Sequence, residues 1–163
     1  MYKAGGECTR EKFRFKNDIK MMCATDKDYL NSGYDAGHLA NAEDFAFDCY
    51  KEEKTFRYYN CLPQTPNLNR GVWKKWEGIL RKISQNKKIA VICGGVFNEK
   101  CKKIGDNVYV PKYCWKVVID LETNKTLHIL IFENDDDSKS KEVTLKYLET
   151  MLGYKINLDT NGL

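Results

Sequence analysis

Apolar residues recur along this chain with helical spacing in one stretch and as continuous runs in others. Between Asn69 and Ser84, apolar side chains follow one another at intervals of three and four residues, which predicts one face of a helix. The side chains that form this pattern are Trp73, Trp76, Leu80 and Ile83. Either Asn67 or Asn69 is expected to cap the start of the helix, because asparagine is favoured there.

Aromatic and β-branched residues predict strands before and after this helix. A short strand is expected at Tyr34–Leu39 and an extended segment at Phe56–Leu62, after which Pro63 and Pro66 should interrupt regular structure. The continuous apolar run at Ile89–Val96 predicts a strand in the centre of a sheet.

The last third of the chain predicts a hairpin followed by a helix. The strand-like segments Tyr113–Leu121 and Thr126–Phe132 flank the turn Glu122–Lys125, as in an antiparallel hairpin. Glu142–Leu152 is expected to form a closing helix that ends at Gly153. The predicted fold class is therefore α+β, with a central, mainly antiparallel sheet flanked by helices.

The length of 163 residues is enough for one domain with a buried core, and no linker or internal repeat divides it. Residues 1–163 are therefore expected to form a single domain. No apolar run is long enough to span a bilayer, so no membrane partner is expected. The first residues lack the pattern of a signal peptide, which leaves the localisation open between the cytoplasm, a non-classical export route and a leader already removed.

Basic residues exceed acidic ones by 27 to 23, giving a formal net charge of +4. Several crowd into one stretch of the chain, namely Lys74, Lys75, Arg81, Lys82, Lys87 and Lys88. Such a stretch can steer a polyanion such as a phosphate backbone towards a site. A solvated lysine-rich surface is the common alternative, so charge by itself does not decide the function.

The seven cysteines contain no C-x-x-C pair, and the chain has only two histidines, so a zinc site is poorly supported. The odd number of cysteines favours a reducing compartment, with at most one or two disulfides if the protein is exported. Cys93 lies within an apolar run and is expected to be a buried thiol.

His38 is the candidate catalytic base. It ends the motif Asp35-Ala36-Gly37-His38, and Gly37 allows the backbone to approach a neighbouring segment closely. Histidine is the usual general base near neutral pH, because its ordinary pKa leaves it largely uncharged there. A structural histidine is the alternative, and four residues alone do not exclude it.

A second group of polar residues lies in the run YYNCLPQTPNLNRGVWKKWEGILR at positions 58–81. Asn69, near the start of the predicted helix, can offer an amide oxygen to a cation. Glu77 and Arg81 are one helical turn apart and are expected to pair, which would keep the carboxylate ionised. A capped helix with an exposed ion pair is the structural alternative.

Together, the motifs D-A-G-H-L-A and Y-N-x-x-P-Q-x-x-x-L-N-x-G-x-W-x-x-x-E-x-x-x-R resemble those of the DNA/RNA non-specific endonucleases. These belong to the ββα-metal, or His-Me finger, group that includes endonuclease G. The segments SGYDAGHLANAEDF, IAVICGGVF, VPKYCWKVVID and TLKYLETMLGY are similar to further blocks of the family. The resemblance extends from about Arg10 to Tyr154 and implies a ββα-metal active-site motif.

The resemblance implies catalytic roles for four residues. His38 would be the general base, and Arg81 would stabilise charge on the phosphate or on the leaving group. Asn60 would fix the site through hydrogen bonds, and Asp35 would support the loop that carries His38.

The resemblance also implies a metal site and a substrate. Asn69 would bind one Mg²⁺ or Mn²⁺ directly, and Glu77 would contact water bound to that ion. Arg10 and Arg14 are both candidates for a phosphate-binding arginine. The implied activity is hydrolysis of DNA and RNA without sequence preference, leaving 5′-phosphate ends. A homodimer and a protein inhibitor are left open as partners.

Ala36 departs from the family motif, which usually has arginine at this position. The base and the metal ligand remain, so chemistry is expected to survive while substrate handling changes. The alternative is a weak or inactive nucleic-acid-binding module on the same fold.

Several other conspicuous residues are expected to be structural. His128 lies within a predicted strand, and the family pattern gives it no role. The acidic run Asp135–Asp137 lacks the spacing of a calcium-binding loop and should be a solvated loop. The tryptophans Trp73, Trp76 and Trp115 are expected in the core rather than stacked on bases.

Overall fold

Strands outnumber helices in the computed structural model, which describes residues 12–18, 20–106 and 108–159. The strands are β1 (Asp35–His38), β2 (Cys61–Gln64), β3 (Ile89–Val96), β4 (Lys103–Ile104), β5 (Val108–Tyr109), β6 (Tyr113–Asp120), β7 (Lys125–Glu133) and β8 (Ser140–Glu142). The helices are α1 (Asp26–Tyr29), α2 (Cys49–Thr55), α3 (Lys74–Ile83) and α4 (Leu145–Leu152).

The central sheet has four antiparallel strands in the order β3-β6-β7-β8. The expected hairpin is confirmed, since Asp120 of β6 faces Lys125 of β7 across a tight turn. Two smaller antiparallel pairs, β1 with β2 and β4 with β5, lie outside this sheet. The predicted α+β class with a mainly antiparallel sheet is therefore confirmed.

Strand β6 is buried on both faces, which explains why its sequence is almost continuously apolar. Successive side chains point to opposite faces of a strand. Trp115 and Val117 accordingly pack with Leu148 of α4 in one core cluster. Cys114 packs with Trp73 in a second cluster on the opposite face. The sheet thus lies between α4 and the layer that contains α3.

The strands β1 and β2, followed by the helical segment that ends with α3, form the ββα unit. β1 runs antiparallel to β2, with Asp35 opposite Gln64 and His38 opposite Cys61. Gly37 has to be glycine, because a Cβ there would lie 2.0 Å from Oε1 of the buried Gln64 side chain. The predicted strand at Tyr34–Leu39 is confirmed as β1.

The helix of the ββα unit begins earlier than its apolar pattern predicts, at Pro66. Thr65 caps it, since its Oγ1 accepts a hydrogen bond of 3.2 Å from the Leu68 backbone N–H. Proline suits the first helical position because the missing N–H would have no helical partner there. The prediction that Asn67 or Asn69 caps the helix was wrong, since both amides hydrogen-bond elsewhere. A wide, π-type turn at Leu68–Trp73 precedes α3.

Two further boundaries differ from the prediction. Phe56–Leu62 is not one extended segment, because a 3₁₀ turn at Tyr58–Asn60 precedes β2. The last helix starts at Leu145 instead of Glu142, and the residues before it pair with β7 as β8. Its predicted end is confirmed, since Gly153 has a φ of 75°, a backbone conformation that glycine adopts without strain.

Within the described residues, no helix is both long and apolar enough to cross a membrane. The thiols described as free are those of Cys23, Cys61, Cys93, Cys101 and Cys114, whereas Cys49 is disulfide-bonded. Cys93 is half-buried against the core, and burial raises the pKa of its thiol. That residues 1–163 form one domain stays a prediction.

Candidate active site

A cleft of about 620 Å³ opens between β1 and α3. The predicted site residues that line it are Asp35, His38, Asn69, Glu77 and Arg81. The cleft therefore brings together residues that lie far apart in the chain, from Asp35 to Arg81. Ala36, the position of the departure from the family motif, also lines it.

The remaining predicted residues lie at other places. Asn60 lines a neighbouring cavity instead of the cleft. Arg14 is exposed and donates a hydrogen bond of 2.8 Å to the Phe13 carbonyl, while the next residue, Phe15, lines the cleft. Arg10 lies outside the described residues.

The imidazole of His38 is held by aromatic rings at the end of β1. Its centroid lies 4.6 Å from that of Phe15 and 4.7 Å from that of Phe56, which meets it edge-on. The indole N–H of Trp73 donates to the His38 carbonyl over 3.3 Å, which ties β1 to the helix. These contacts orient the ring at the wall of the cleft.

Asn60 fixes the backbone that follows His38. Its Nδ2 donates to the carbonyls of Ala40 (3.0 Å) and Thr55 (2.9 Å), and its Oδ1 accepts from the Ala40 N–H (3.0 Å). Its carbonyl accepts from the Leu39 N–H over 2.8 Å. The geometry thus gives Asn60 a positioning contact with the segment that His38 begins.

Asp35 accepts hydrogen bonds from two neighbouring residues of the helical segment. Asn69 Nδ2 donates to it over 2.9 Å, and Arg70 donates from Nε over 2.8 Å and from Nη2 over 2.7 Å. Burial alone would raise the pKa of Asp35, but the hydrogen bonds from Arg70 and Asn69 outweigh it and lower the pKa. Asp35 is therefore an ionised carboxylate with its partners in place.

The contact with Asp35 settles the orientation of the Asn69 amide. An ionised carboxylate only accepts hydrogen bonds, so the NH₂ group of the amide must face Asp35. The oxygen Oδ1 then points away from Asp35, and no described residue donates a hydrogen bond to it. This leaves an amide oxygen on a cleft residue, available to a cation.

Glu77 is half-buried on α3, and burial raises its pKa. The charge of Lys116, a hydrogen bond from Asn41 and the charge of Arg81 act in the opposite direction, while Asp44 adds to the rise. Glu77 thus titrates above the usual range of a glutamate, and nearby cations limit the shift.

Glu77 and Arg81 do not form the expected close ion pair. The Arg81 guanidinium, 16% exposed, contacts Glu43 (3.1 Å) and Asp44 (2.9 Å). The 3₁₀ turn at Ala42–Phe45 brings these two carboxylates to the end of the cleft. They compete for Arg81, and the interaction between Arg81 and Glu77 is reduced to a longer-range electrostatic one.

Lys116 is a buried cation that the sequence analysis did not assign to the site. Its residue is 2% exposed, and Nζ lies 3.6 Å from the centroid of the Trp73 ring, a cation–π distance. It shares the face of β6 with Cys114, which packs beneath the ββα unit. The signal was present, since a lysine interrupts the apolar segment YCWKVVID.

Other residues were missed because their contacts are not local. Arg70 follows Asn69 directly, but its contact with Asp35 spans 35 positions. Asn41, Glu43 and Asp44 sit in a turn whose sequence is typical of an ordinary surface loop. No pattern at these positions indicates which groups they face.

The donor set suits a hard divalent cation. The amide oxygen of Asn69 and the carboxylate of Glu77 are oxygen donors on the cleft wall, and Mg²⁺ commonly uses one or two protein oxygens with several waters. Within residues 12–18, 20–106 and 108–159, no three His, Cys, Asp or Glu side chains group closely enough to hold a metal on their own.

His128 and the acidic run lie in structural positions, as expected. His128 Nδ1 is 2.9 Å from Glu142, and its ring meets that of Trp76 edge-on at 5.3 Å. The side chains of Asp135–Asp137 are exposed. Trp73 and Trp115 are buried in the two core clusters, and Trp76 is partly buried.

Comparisons with known proteins agree on one family. A family model described as DNA/RNA non-specific endonuclease matches residues 1–162. A nuclease from Nostoc sp. is 30% identical over 140 residues, which cover 77% of this chain and 51% of that protein. Human mitochondrial endonuclease G is 30% identical over 129 residues, covering 70% of this chain and 43% of that protein.

The fold matches as well. The crystal structure of the EndoG/EndoGI complex aligns with a TM-score of 0.78 and 25% identity, over 93% of this chain and 71% of that chain. The chain spans about half, or less, of the length of the curated relatives it matches. The family match, together with the shared fold and the residues gathered in the cleft, shows that the chain belongs to the DNA/RNA non-specific endonuclease family.

Proposed function

We propose that this chain is a metal-dependent endonuclease that hydrolyses phosphodiester bonds of DNA and RNA without sequence preference. The observation that carries the proposal is the presence of His38, Asn69 and Glu77 on the walls of one cleft. These residues provide a base, an amide oxygen and a carboxylate, which is what metal-assisted hydrolysis requires.

His38 acts as the general base. It takes a proton from a water molecule, whose oxygen attacks the phosphorus while the bond from phosphorus to the 3′ oxygen breaks. The electrons of that bond go to the 3′ oxygen, which takes up a proton from solvent, so the products are a 5′-phosphate and a 3′-hydroxyl. The packing of Phe15 and Phe56 against the imidazole keeps it oriented for this transfer.

Asn69 Oδ1 would hold the cation, Mg²⁺ or Mn²⁺, and Glu77 would contact its water shell. When bound, this cation supplies positive charge that stabilises the phosphate oxygens and the departing 3′ oxygen. Asp35 keeps the Asn69 amide turned so that its oxygen stays available. Lys116 favours the ionised form of Glu77.

Backbone recognition accounts for the lack of sequence preference. The basic side chains that line the cleft are Arg70, Lys74 and Arg81, and contacts to phosphate carry no direct information about the base. Arg81 stabilises the charge that develops at the phosphate. Arg10 and Arg14 stay candidates for a further phosphate contact, of which Arg14 lies next to a residue of the cleft wall.

The test is the degradation of plasmid DNA and of RNA with Mg²⁺, with Mn²⁺ and with EDTA. We expect cleavage with either metal, 5′-phosphate ends and loss of cleavage with EDTA or in His38→Ala. His128→Ala is the matched control, because His128 pairs with Glu142 away from the cleft, and it should cleave like the wild type. Equal rates for His38→Ala and wild type would show that His38 is not the base.

Ala36 motivates the second candidate, a weak or inactive nucleic-acid-binding module. It predicts salt-sensitive binding without cleavage under any metal, and a gain of cleavage in Ala36→Arg. A protein inhibitor is a proposed partner on the precedent of the EndoG/EndoGI complex, and a homodimer stays a prediction.

A further inference from the structure

Arg70 holds an exposed guanidinium at the mouth of the cleft. Its side chain is 71% exposed, whereas that of its partner Asp35 is 19% exposed. The two contacts with Asp35 use Nε and Nη2. A guanidinium carries five N–H donors, so three remain for another acceptor.

The two charges of this pair sum to zero, but they differ in their exposure to solvent. The carboxylate of Asp35 lies inside and also accepts from Asn69, whereas the guanidinium of Arg70 lies outside. A strand that enters the cleft therefore meets the cation first. The bidentate contact also fixes the plane of the guanidinium, which lowers the entropy lost when it binds an anion.

Position 36, next to Asp35 in β1, carries no charge. Ala36 lines the same cleft beside Asp35, and its side chain is a methyl group, so it can make no contact with phosphate. Arg70 thus places a positive charge on Asp35, the same carboxylate that the metal-ligand candidate Asn69 contacts.

We infer that Arg70 is a phosphate-binding residue, which supplies from the helical segment the positive charge that the chain lacks at position 36. It contacts a phosphate of the bound strand through the donors that Asp35 leaves unused. This assignment rests on the proposed function, because it names part of the binding site for the same substrate.

The test measures binding separately from cleavage. Fluorescence anisotropy with short labelled single-stranded DNA and RNA, in EDTA and across a series of KCl concentrations, yields affinity and its salt dependence. For Arg70→Ala we expect weaker binding to every sequence, and a slope of log K against log salt that is smaller by about 0.7 to 0.9, the loss of one phosphate contact. Arg70→Lys should keep most of the slope, because it keeps the charge.

Lys155→Ala is the matched control. Lys155 is also an exposed cation, 84% exposed and 2.7 Å from the carboxylate of Glu149, but it does not line the cleft. The Lys155→Ala variant should have the same slope of log K against log salt as the wild type. If Arg70→Ala and Lys155→Ala have the same slope, or if the wild type shows no salt-dependent binding, the assignment is wrong.

The double variant Ala36→Arg/Arg70→Ala tests the position of the charge. We expect it to recover the slope lost in Arg70→Ala, and failure to recover it would overturn the claim that the two positions serve the same phosphate. If Arg70→Ala does not fold, Arg70→Gln replaces it, since it retains a hydrogen-bond donor for Asp35 without the charge. Salt-dependent binding that requires Arg70 without any cleavage would reject the endonuclease and leave this assignment standing.

Discussion

The two faces of β6 are both buried, but they differ in the kind of side chain that they bury. Towards α4, the strand presents Trp115 and Val117, which pack with Leu148 in an apolar cluster. Towards the cleft, Lys116 places a charge under Trp73, and Trp73 in turn is hydrogen-bonded to His38. The first face follows the ordinary rule of burial, whereas the second retains a buried cation. The difference is that the α4 face is apolar, whereas the opposite face combines an apolar cluster with a buried charge that acts on Glu77.

The largest expected effect comes from the apolar face. Leu148→Ala should destabilise the fold by about 2 to 5 kcal/mol, because it leaves a cavity in a fully buried cluster. Denaturant unfolding measures this loss, and Leu148→Met should cost less because it nearly conserves volume. The rate per folded molecule should stay that of the wild type. A reduced rate in the folded fraction would show that the two faces are not independent.

Asp35→Asn should have the next largest effect, on the cleft side. The substitution keeps the shape but removes the charge that holds Arg70 and orients the Asn69 amide. We expect Mn²⁺ affinity, measured by calorimetry, to fall by about 10- to 100-fold, the usual cost of removing a group that orients a metal ligand. Asp137→Asn, in the exposed acidic loop, should leave the affinity unchanged. Unchanged affinity in Asp35→Asn would mean that Asp35 does not orient the ligand.

Lys116→Met tests the buried charge on the cleft side of β6 through the pH dependence of the cleavage rate. Burial already raises the pKa of Glu77 and Lys116 opposes this rise, so removal of Lys116 should raise that pKa further. The mechanism needs His38 unprotonated and Glu77 ionised, so the acidic limb of the pH–rate profile should move to higher pH, with a lower rate on the acidic side and recovery as pH rises. Stability at neutral pH should fall as well, because the substitution leaves the largely buried carboxylate of Glu77 with one fewer neighbouring cation.

Lys112→Met is the control for that profile. Lys112 is exposed on the segment before β6, with Nζ 5.5 Å from the Tyr113 ring, so its removal should leave the acidic limb in place. A limb that shifts equally in both variants would point to a general change in charge and not to Lys116.

The smallest effect is expected at His128 of β7, which does not line the cleft. His128→Ala removes an exposed contact with Glu142, and such pairs contribute about 1 kcal/mol or less. Thermal unfolding should show a small shift, and cleavage should be unchanged. A large loss of cleavage in this variant would assign His128 a function that its position does not suggest.

Local patterns predicted most of the regular structure. The hairpin of β6 and β7, strand β3 and the end of α4 at Gly153 all follow from periodicity and turn residues. The start of the ββα helix was misplaced, because the cap at Thr65 is followed by Pro66, which is typical both of a break and of a helix start.

The sequence by itself determined the family, the sheet and five of the polar residues that line the cleft, because these depend on periodicity and on motifs of fixed spacing. The five are Asp35, His38, Asn69, Glu77 and Arg81. Only the tertiary structure decided which groups face one another. It placed Arg81 beside Glu43 and Asp44, turned the Asn69 amide towards Asp35, and buried Lys116 beneath Trp73. Such contacts join residues tens of positions apart, and their geometry comes from the packing of the ββα unit on the sheet.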